Sequence, residues 1–249
     1  MAIAVITFDW GDTLATNHGQ PYGHAQRRAL ERLEDALGAA GGNPPVDWQG
    51  RCHDELHAAW TSSVDVSTNP EHREFDMQSM IEGWARYAGC DPAQPAVSAA
   101  LRELCDSCIE LVLAYHGVEP VLRSLRERGY RLGILSHVAF PGDRCRAWFE
   151  RRGWDQYFDF YSFSSDVGWI KPNHAHYQHA LDQAGCAADE ILHVGDHPDR
   201  DIIGGRYFGF HTCLRLTEGI YPTDRIRSCE PDLAVLHINE IPDLLAAKV

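Results

Sequence analysis

Four short segments hold side chains able to do chemistry on a phosphate or a similar electrophile. The first is Phe8-Asp9-Trp10-Gly11-Asp12-Thr13-Leu14, directly after the apolar run Ile3-Ala4-Val5-Ile6-Thr7. The second, Leu132-Gly133-Ile134-Leu135-Ser136-His137, is an apolar run ending in a hydroxyl and an imidazole. The third, Gly168-Trp169-Ile170-Lys171-Pro172, carries a lysine. The fourth, Gly195-Asp196-His197-Pro198-Asp199-Arg200-Asp201, is an acidic stretch after the apolar run Ile191-Leu192-His193-Val194. A carboxylate can attack phosphorus and so split one hard displacement into two easier ones. Nucleophile and phosphate are both anions and need cations between them, such as a lysine or a hard Mg²⁺ with oxygen ligands. Taken singly, each segment also has an ordinary reading. Asp9 suits a turn, Ser136 a loop or cap, Lys171 a solvated loop and Asp201 a helix start.

The elements around these segments decide between the two readings. Residues 24–40 place Leu30, Leu33 and Leu37 at helical spacing and stop at Gly41-Gly42. Residues 46–62, with Trp48, Cys52, Leu56, Ala59 and Trp60 on one face, predict a second helix. Residues 71–88 predict a third, and 93–113 a fourth with the stripe Val97, Leu101, Leu104, Cys105, Cys108 and Val112. No convincing strand interrupts this stretch. From Gly117 the pattern alternates. Helices over 118–128, 142–152, 174–184, 199–208 and 239–247 separate strands over 131–136, 158–163, 191–194, 212–216 and 233–237. Strands alternating with helices of this length imply a parallel sheet. The chain therefore divides into an α/β core, 1–16 and 114–249, split by a helical region, 17–113. Each reactive segment falls at a predicted strand end or in the loop after one, and the carboxyl edge of an open α/β sheet is where ligands bind.

Together the segments resemble the signatures of the haloacid dehalogenase superfamily, whose first reads Asp-x-Asp-Gly-Thr-(Leu/Val). Asp9, Thr13 and Leu14 match it. Ser136 matches the second, Lys171 the third, and Asp196 with Asp201 the acidic fourth, followed by Ile202-Ile203-Gly204-Gly205 as the usual helix start. Four motifs in order, each in its predicted setting, are a specific signal. The resemblance implies a Rossmann-like parallel-sheet core with an inserted all-helical cap. It also implies a Mg²⁺-dependent phosphatase that acts on a small phosphorylated metabolite through an aspartyl-phosphate on Asp9. Ser136 and Lys171 would hold phosphoryl oxygens, with His137, Gly11 and Asp12 beside them. Asp9, Asp196 and the Gly11 carbonyl would bind the metal, and Asp201 would be a further ligand or a partner for Lys171. One departure matters: Gly11 stands where the second Asp belongs, and Asp12 comes one place later. That Asp is the family's general acid/base, a role worth ~10²–10⁴-fold in rate. Asp12, a cap residue or His197 could replace it, or the substrate could carry a good leaving group.

Two alternatives follow from the same departure. A metal-independent dehalogenase also lacks the second Asp, but the Asp196–Asp201 segment would repel its carboxylate substrate. A catalytically weak member would bind a phosphorylated ligand without efficient turnover, yet would have no need to keep all four segments. A phosphonate hydrolase needs a cap lysine, and residues 17–113 contain none.

Composition narrows the partners. With 22 Lys+Arg against 36 Asp+Glu in 249 residues, the formal charge is −14, which disfavours nucleic acid and anionic membrane. No apolar run reaches the ~20 residues of a membrane span, and no leader pattern precedes the first motif. The eight cysteines fall within helix and strand patterns, as expected of reduced thiols in a cytoplasmic protein. Cys105-x-x-Cys108 sits inside the best helical stripe and reads as core. His176 and His179 lack a completing ligand set and read as a packed or exposed helix face. Trp48, Trp60 and Trp84 read as helical-bundle core, and a monomer or homodimer is expected.

Overall fold

The fold was analysed in a computed structural model, which describes residues 2–217 and 219–247. Strand β1 (Val5–Phe8) is buried on both faces, as its unbroken apolar run requires. A hairpin of two short antiparallel strands, β2 (Ala15–Thr16) and β3 (Leu113–Ala114), frames the helical stretch between them. That stretch holds α1 (Tyr22–Ala39), α2 (Trp48–Val64), α3 (Met77–Tyr87) and α4 (Pro95–Ile109). Then follow α5 (Val118–Glu127), β4 (Arg131–Ser136), α6 (Gly142–Glu150), β5 (Phe160–Phe163), α7 (Ser164–Val167) and α8 (His174–Ala184). The chain ends through β6 (Ile191–Gly195), α9 (Gly204–Phe208), β7 (His211–Arg215), α10 (Thr223–Ser228), β8 (Leu233–Val235) and α11 (Ile241–Ala246).

Six strands form one parallel sheet in the order β5-β4-β1-β6-β7-β8. The chain builds outward from β1 through β4 to β5, then returns to the other side of β1 with β6. The order reverses at β1, so a crevice opens beyond its carboxyl end. Phe8 is level with Ile134 on one neighbour and Val194 on the other. Asp9, Ser136 and Asp196 therefore leave adjacent strands at nearly the same height.

In the helical stretch, α1 packs on α4 and α2 through Leu30, Leu33, Leu37, Val97, Leu101 and Leu104, all buried. Cys105 and Cys108 join that core, and burial pushes their thiols up to about 12 and about 11. Three expectations need correction. The helix predicted from residue 71 starts at Met77, because the Asp76 side chain accepts from Ser79 N (2.8 Å) and caps it there. Residues 71–76 instead run as a loop against the core, where Arg73 bridges to Trp169. Strands β2 and β3 are not predicted by the sequence, because two residues carry no readable periodicity. Trp60 is 46% exposed, whereas Trp48 and Trp84 are buried as expected. Among the described residues, no helix is long and apolar enough to cross a membrane.

Candidate active site

The turn after β1 is built around one carbonyl. Trp10 O accepts from the N–H groups of Leu14 (3.0 Å) and Ala15 (3.1 Å), which folds the backbone back and leaves the Asp9 side chain at the sheet edge. Trp10 itself packs against Trp148 and Phe149, at 5.0 and 5.3 Å between ring centroids. The backbone N–H of Trp10 donates to Ser136 Oγ (3.3 Å), tying the ends of β1 and β4 together.

Lys171 reaches into this edge and is buried. Its Nζ donates to Asp9 Oδ1 (2.7 Å), Asp201 Oδ1 (2.5 Å) and Leu135 O (2.9 Å). Burial opposes its charge, but the Asp201 and Asp9 anions outweigh that and hold its pKa above the ordinary lysine value. Burial pushes the Asp9 carboxyl up to about 6 against the pull of Lys171. Asp201 stays well below the carboxylate range: burial would raise it, but Lys171 and a hydrogen bond from His193 prevail.

A buried chain behind Asp201 is not visible from motif spacing. His193 Nε2 lies 3.1 Å from Asp201 Oδ1, and its Nδ1 lies 3.0 Å from Thr7 Oγ1. A carboxylate only accepts, and burial keeps the imidazole neutral, so Nε2 carries the proton and the Thr7 hydroxyl donates to Nδ1. The other oxygen, Asp201 Oδ2, accepts from His197 N (2.9 Å). This carboxyl can approach so closely because residue 195 is glycine: a Cβ there would lie 2.3 Å from Asp201 Oδ2. The only signal available beforehand was a histidine in an otherwise apolar strand.

Asp196, at the end of β6, accepts from the Tyr221 hydroxyl at Oδ2 (2.9 Å). Burial, then the Asp201 and Asp9 anions, push its carboxyl up to about 8. Oxygens of Asp9, Asp196 and Asp201 all fall within 4.8 Å of one another, and the Lys171 ammonium bonds two of the three carboxylates, Asp9 and Asp201. Three buried carboxylates facing one ammonium leave negative charge uncompensated, and the donors are all hard oxygens. That set fits a Mg²⁺-type cation. Asp201 already spends both oxygens on Lys171, His193 and His197, which favours its role as the lysine's anchor. The open bonding capacity lies on Asp9 and Asp196.

The Gly11 side is different. A Cβ built on Gly11 would meet one atom within 4 Å, Asp9 Oδ2 at 4.0 Å, so a side chain fits there. Asp12 adopts a left-handed backbone (φ 52°), a conformation that suits glycine. Its carboxylate is turned toward β2, accepting from Thr16 Oγ1 (2.6 Å) and lying 2.9 Å from His18 Nε2. His197 is committed as well: its Nδ1 accepts from the N–H groups of Asp199 (3.2 Å) and Arg200 (3.3 Å), and burial holds its pKa down at about 4. His137 follows Ser136, but its ring contacts Glu74 and Arg200. His176 is buried with Nε2 on Ser162 O (3.1 Å), and His179 Nδ1 sits 2.8 Å from Ser162 Oγ, so both serve packing around β5.

Comparison with known proteins gives the family. The family model for haloacid dehalogenase-like hydrolases matches residues 56–214. A glyceraldehyde 3-phosphate phosphatase from Methanopyrus kandleri is 29% identical over 183 residues, covering 72% of this chain and 73% of the relative. A pyrimidine 5'-nucleotidase, YjjG from Escherichia coli, is 30% identical over 155 residues, covering 59% of this chain and 65% of the relative. The crystal structure of a HAD phosphatase from Thermococcus onnurineus superposes with a TM-score of 0.65 at 20% identity, covering 98% of each chain. A 2-haloacid dehalogenase from Pseudomonas syringae pv. Tomato DC3000 gives a TM-score of 0.69 at 24% identity, covering 99% of this chain and 100% of the other. At these identities the structural likenesses speak for the fold alone. With the matched family model, the parallel sheet and the converging motifs together, the chain belongs to the haloacid dehalogenase-like hydrolase family.

Proposed function

We propose that this hydrolase is a Mg²⁺-dependent phosphatase for a small phosphorylated metabolite, with Asp9 as nucleophile and residues 17–113 as a cap over the cleft. The observation that carries this reading is the Asp9–Lys171–Asp201 chain at the sheet edge, with Asp196 beside it. It pairs the nucleophile with a fixed cation and leaves charge for a second one. Relatives named as a glyceraldehyde 3-phosphate phosphatase, a pyrophosphatase and a pyrimidine 5'-nucleotidase support the substrate chemistry.

Asp9 and Asp196, with the Gly11 carbonyl, would hold the cation, which would neutralise the incoming phosphate and let the two anions meet. Asp9 Oδ attacks phosphorus, the ester oxygen leaves, and an aspartyl-phosphate forms on Asp9. Lys171 and the Ser136 hydroxyl hold phosphoryl oxygens and spread the charge that develops. Because Asp201 and His193 fix the lysine beforehand, no reorganisation is needed at the moment of reaction. Water then attacks the acyl-phosphate and frees Asp9. Neither proton transfer has an assigned group, since position 11 is glycine and Asp12 and His197 are committed elsewhere. The reading therefore expects a substrate with a good leaving group, or slow release of phosphate.

The dehalogenase alternative has the absent second Asp in its favour. Against it, the Asp196–Asp201 pair would repel a haloacid's carboxylate. The test is hydrolysis of p-nitrophenyl phosphate with and without Mg²⁺ by the native protein and Asp9→Asn. Magnesium-dependent turnover lost in Asp9→Asn is expected. Absence of turnover in the folded native protein, or turnover that survives Asp9→Asn, would overturn the reading.

A further inference from the structure

Arg200 is a basic group that the phosphoryl chemistry above leaves unused. It stands next to Asp201 in sequence, and its Nη1 donates to His137 Nδ1 (3.2 Å), one residue beyond Ser136. A guanidinium only donates, so Nδ1 is the acceptor and Nε2 carries the imidazole proton. That Nε2 lies 3.2 Å from Oε2 of Glu74, whose side chain is 1% exposed. Glu74 in turn accepts from Ser164 Oγ (2.6 Å). The His137 ring stacks under Trp60 of α2, 5.3 Å between centroids and 15° from parallel. Arg200 thus meets a cluster, His137 with Glu74 and Trp60, that draws on the core and on the helical insert together.

Three histidines feel the charge of the Arg200 guanidinium: His72, His137 and His197, all kept below the ordinary histidine pKa by burial first and by Arg200 in part. Among the described residues no carboxylate pairs with it, although its neighbour Asp199 is paired with Arg225. An oriented, half-buried guanidinium with unspent N–H donors is a receptor for a planar or tetrahedral anion. Lys171 is pinned beside Asp9 by its bonds to Asp9, Asp201 and Leu135 and is taken there by the phosphoryl group, so a second anion needs another cation.

We propose that Arg200 binds a second anionic group of the substrate, a carboxylate or a further phosphate, while the phosphoryl group to be transferred sits at Asp9. This deepens the phosphatase reading and rests on it. It makes the substrate class a phosphate ester bearing another anion a few atoms away.

The test compares three esters on one carbon skeleton: propyl phosphate, 3-phosphooxypropanoate and 1,3-propanediol bisphosphate. The native protein is expected to favour at least one charged ester over propyl phosphate by ~10-fold or more in kcat/KM, chiefly through KM. Whichever charged ester gains identifies the anion. In Arg200→Gln that ratio should collapse toward one, and Arg200→Lys should keep part of it. The ratio is taken within each variant, so a change in folded fraction cancels. A ratio near one in the native protein, or a large ratio that survives Arg200→Gln, would overturn the proposal while leaving the phosphatase reading intact. Failure of the native protein to turn over any ester, p-nitrophenyl phosphate included, would sink the phosphatase reading and the proposal with it.

Discussion

The two flanks of Asp9 are built to different standards. On the Lys171 side every polar atom is engaged: Thr7, His193, Asp201 and Lys171 form one buried chain that ends on Asp9 Oδ1. On the Gly11 side there is open space, and the nearby Asp12 carboxylate is spent on Thr16 and His18. The difference separates two tasks that the typical motif performs together. Holding the nucleophile and its charge needs a rigid, desolvated network, because misplaced buried charges are costly. Moving a proton needs one positioned group of suitable pKa, and that group can be absent without disturbing the network. In this chain the first task has its full set of residues, and the second has an empty place.

The largest effect should come from breaking the engaged side. Lys171→Met leaves Asp9 and Asp201 facing each other without a cation. Expected are a ~10²–10³-fold loss in kcat and a destabilisation of ~3–5 kcal/mol, read by steady-state kinetics and denaturant melts. A variant with native stability and near-native kcat would contradict the assigned role of the chain.

A second test uses pH. Without a cation, the Asp196 carboxyl titrates near about 8 instead of at the ordinary 3.8. The folded state then holds a proton that the unfolded chain has already lost. Stability from this group is full below about 3.8 and drains away as pH rises through about 8. Asp196→Asn has no such proton to lose, so the metal-free variant should gain in melting temperature relative to the native protein as pH is raised from about 5 to about 8.5. Mg²⁺ should raise the native melting temperature most at the alkaline end and do little for the variant. A melting-temperature difference that stays flat across this range, with or without Mg²⁺, would exclude Asp196 as the titrating ligand.

The smallest expected change sharpens the open side. Gly11→Asp finds room for its Cβ and needs no unusual backbone. It should raise turnover of an alkyl phosphate, which needs a protonated leaving group, by up to ~10²-fold. Cleavage of an aryl phosphate should change less. Equal effects on both esters would show that position 11 does not act on the leaving group.

How much of this could be read from the sequence follows from what sequence patterns encode. Asp9, Ser136, Lys171 and Asp196 each follow an apolar strand signal or its loop, so their convergence follows from a parallel sheet whose order reverses at β1. The empty place at Gly11 was equally plain. The short strands β2 and β3 were not, since two residues give no period, and the 71–76 loop was hidden by helical spacing that the Asp76 cap interrupts. Trp60 shows the limit of pattern reading. Its spacing matches Trp48 on the same helix, but α2 runs past the bundle core, and the indole lies on His137 instead. His193 and Arg200 depend on partners far away in sequence, and a single chain without its fold does not reveal such pairs.

In the proposed mechanism Asp9 attacks phosphorus while nothing at position 11 hastens hydrolysis of the product. The most direct measurement is rapid acid quench of the native protein with p-nitrophenyl phosphate and Mg²⁺, followed by mass analysis of the peptide that contains Asp9. A burst of p-nitrophenol and one phosphoryl group on Asp9 are expected, the phosphoryl group accumulating because its hydrolysis is slow, and neither should appear in Asp9→Asn. Steady turnover with no burst and no phosphorylated Asp9 peptide would contradict that mechanism.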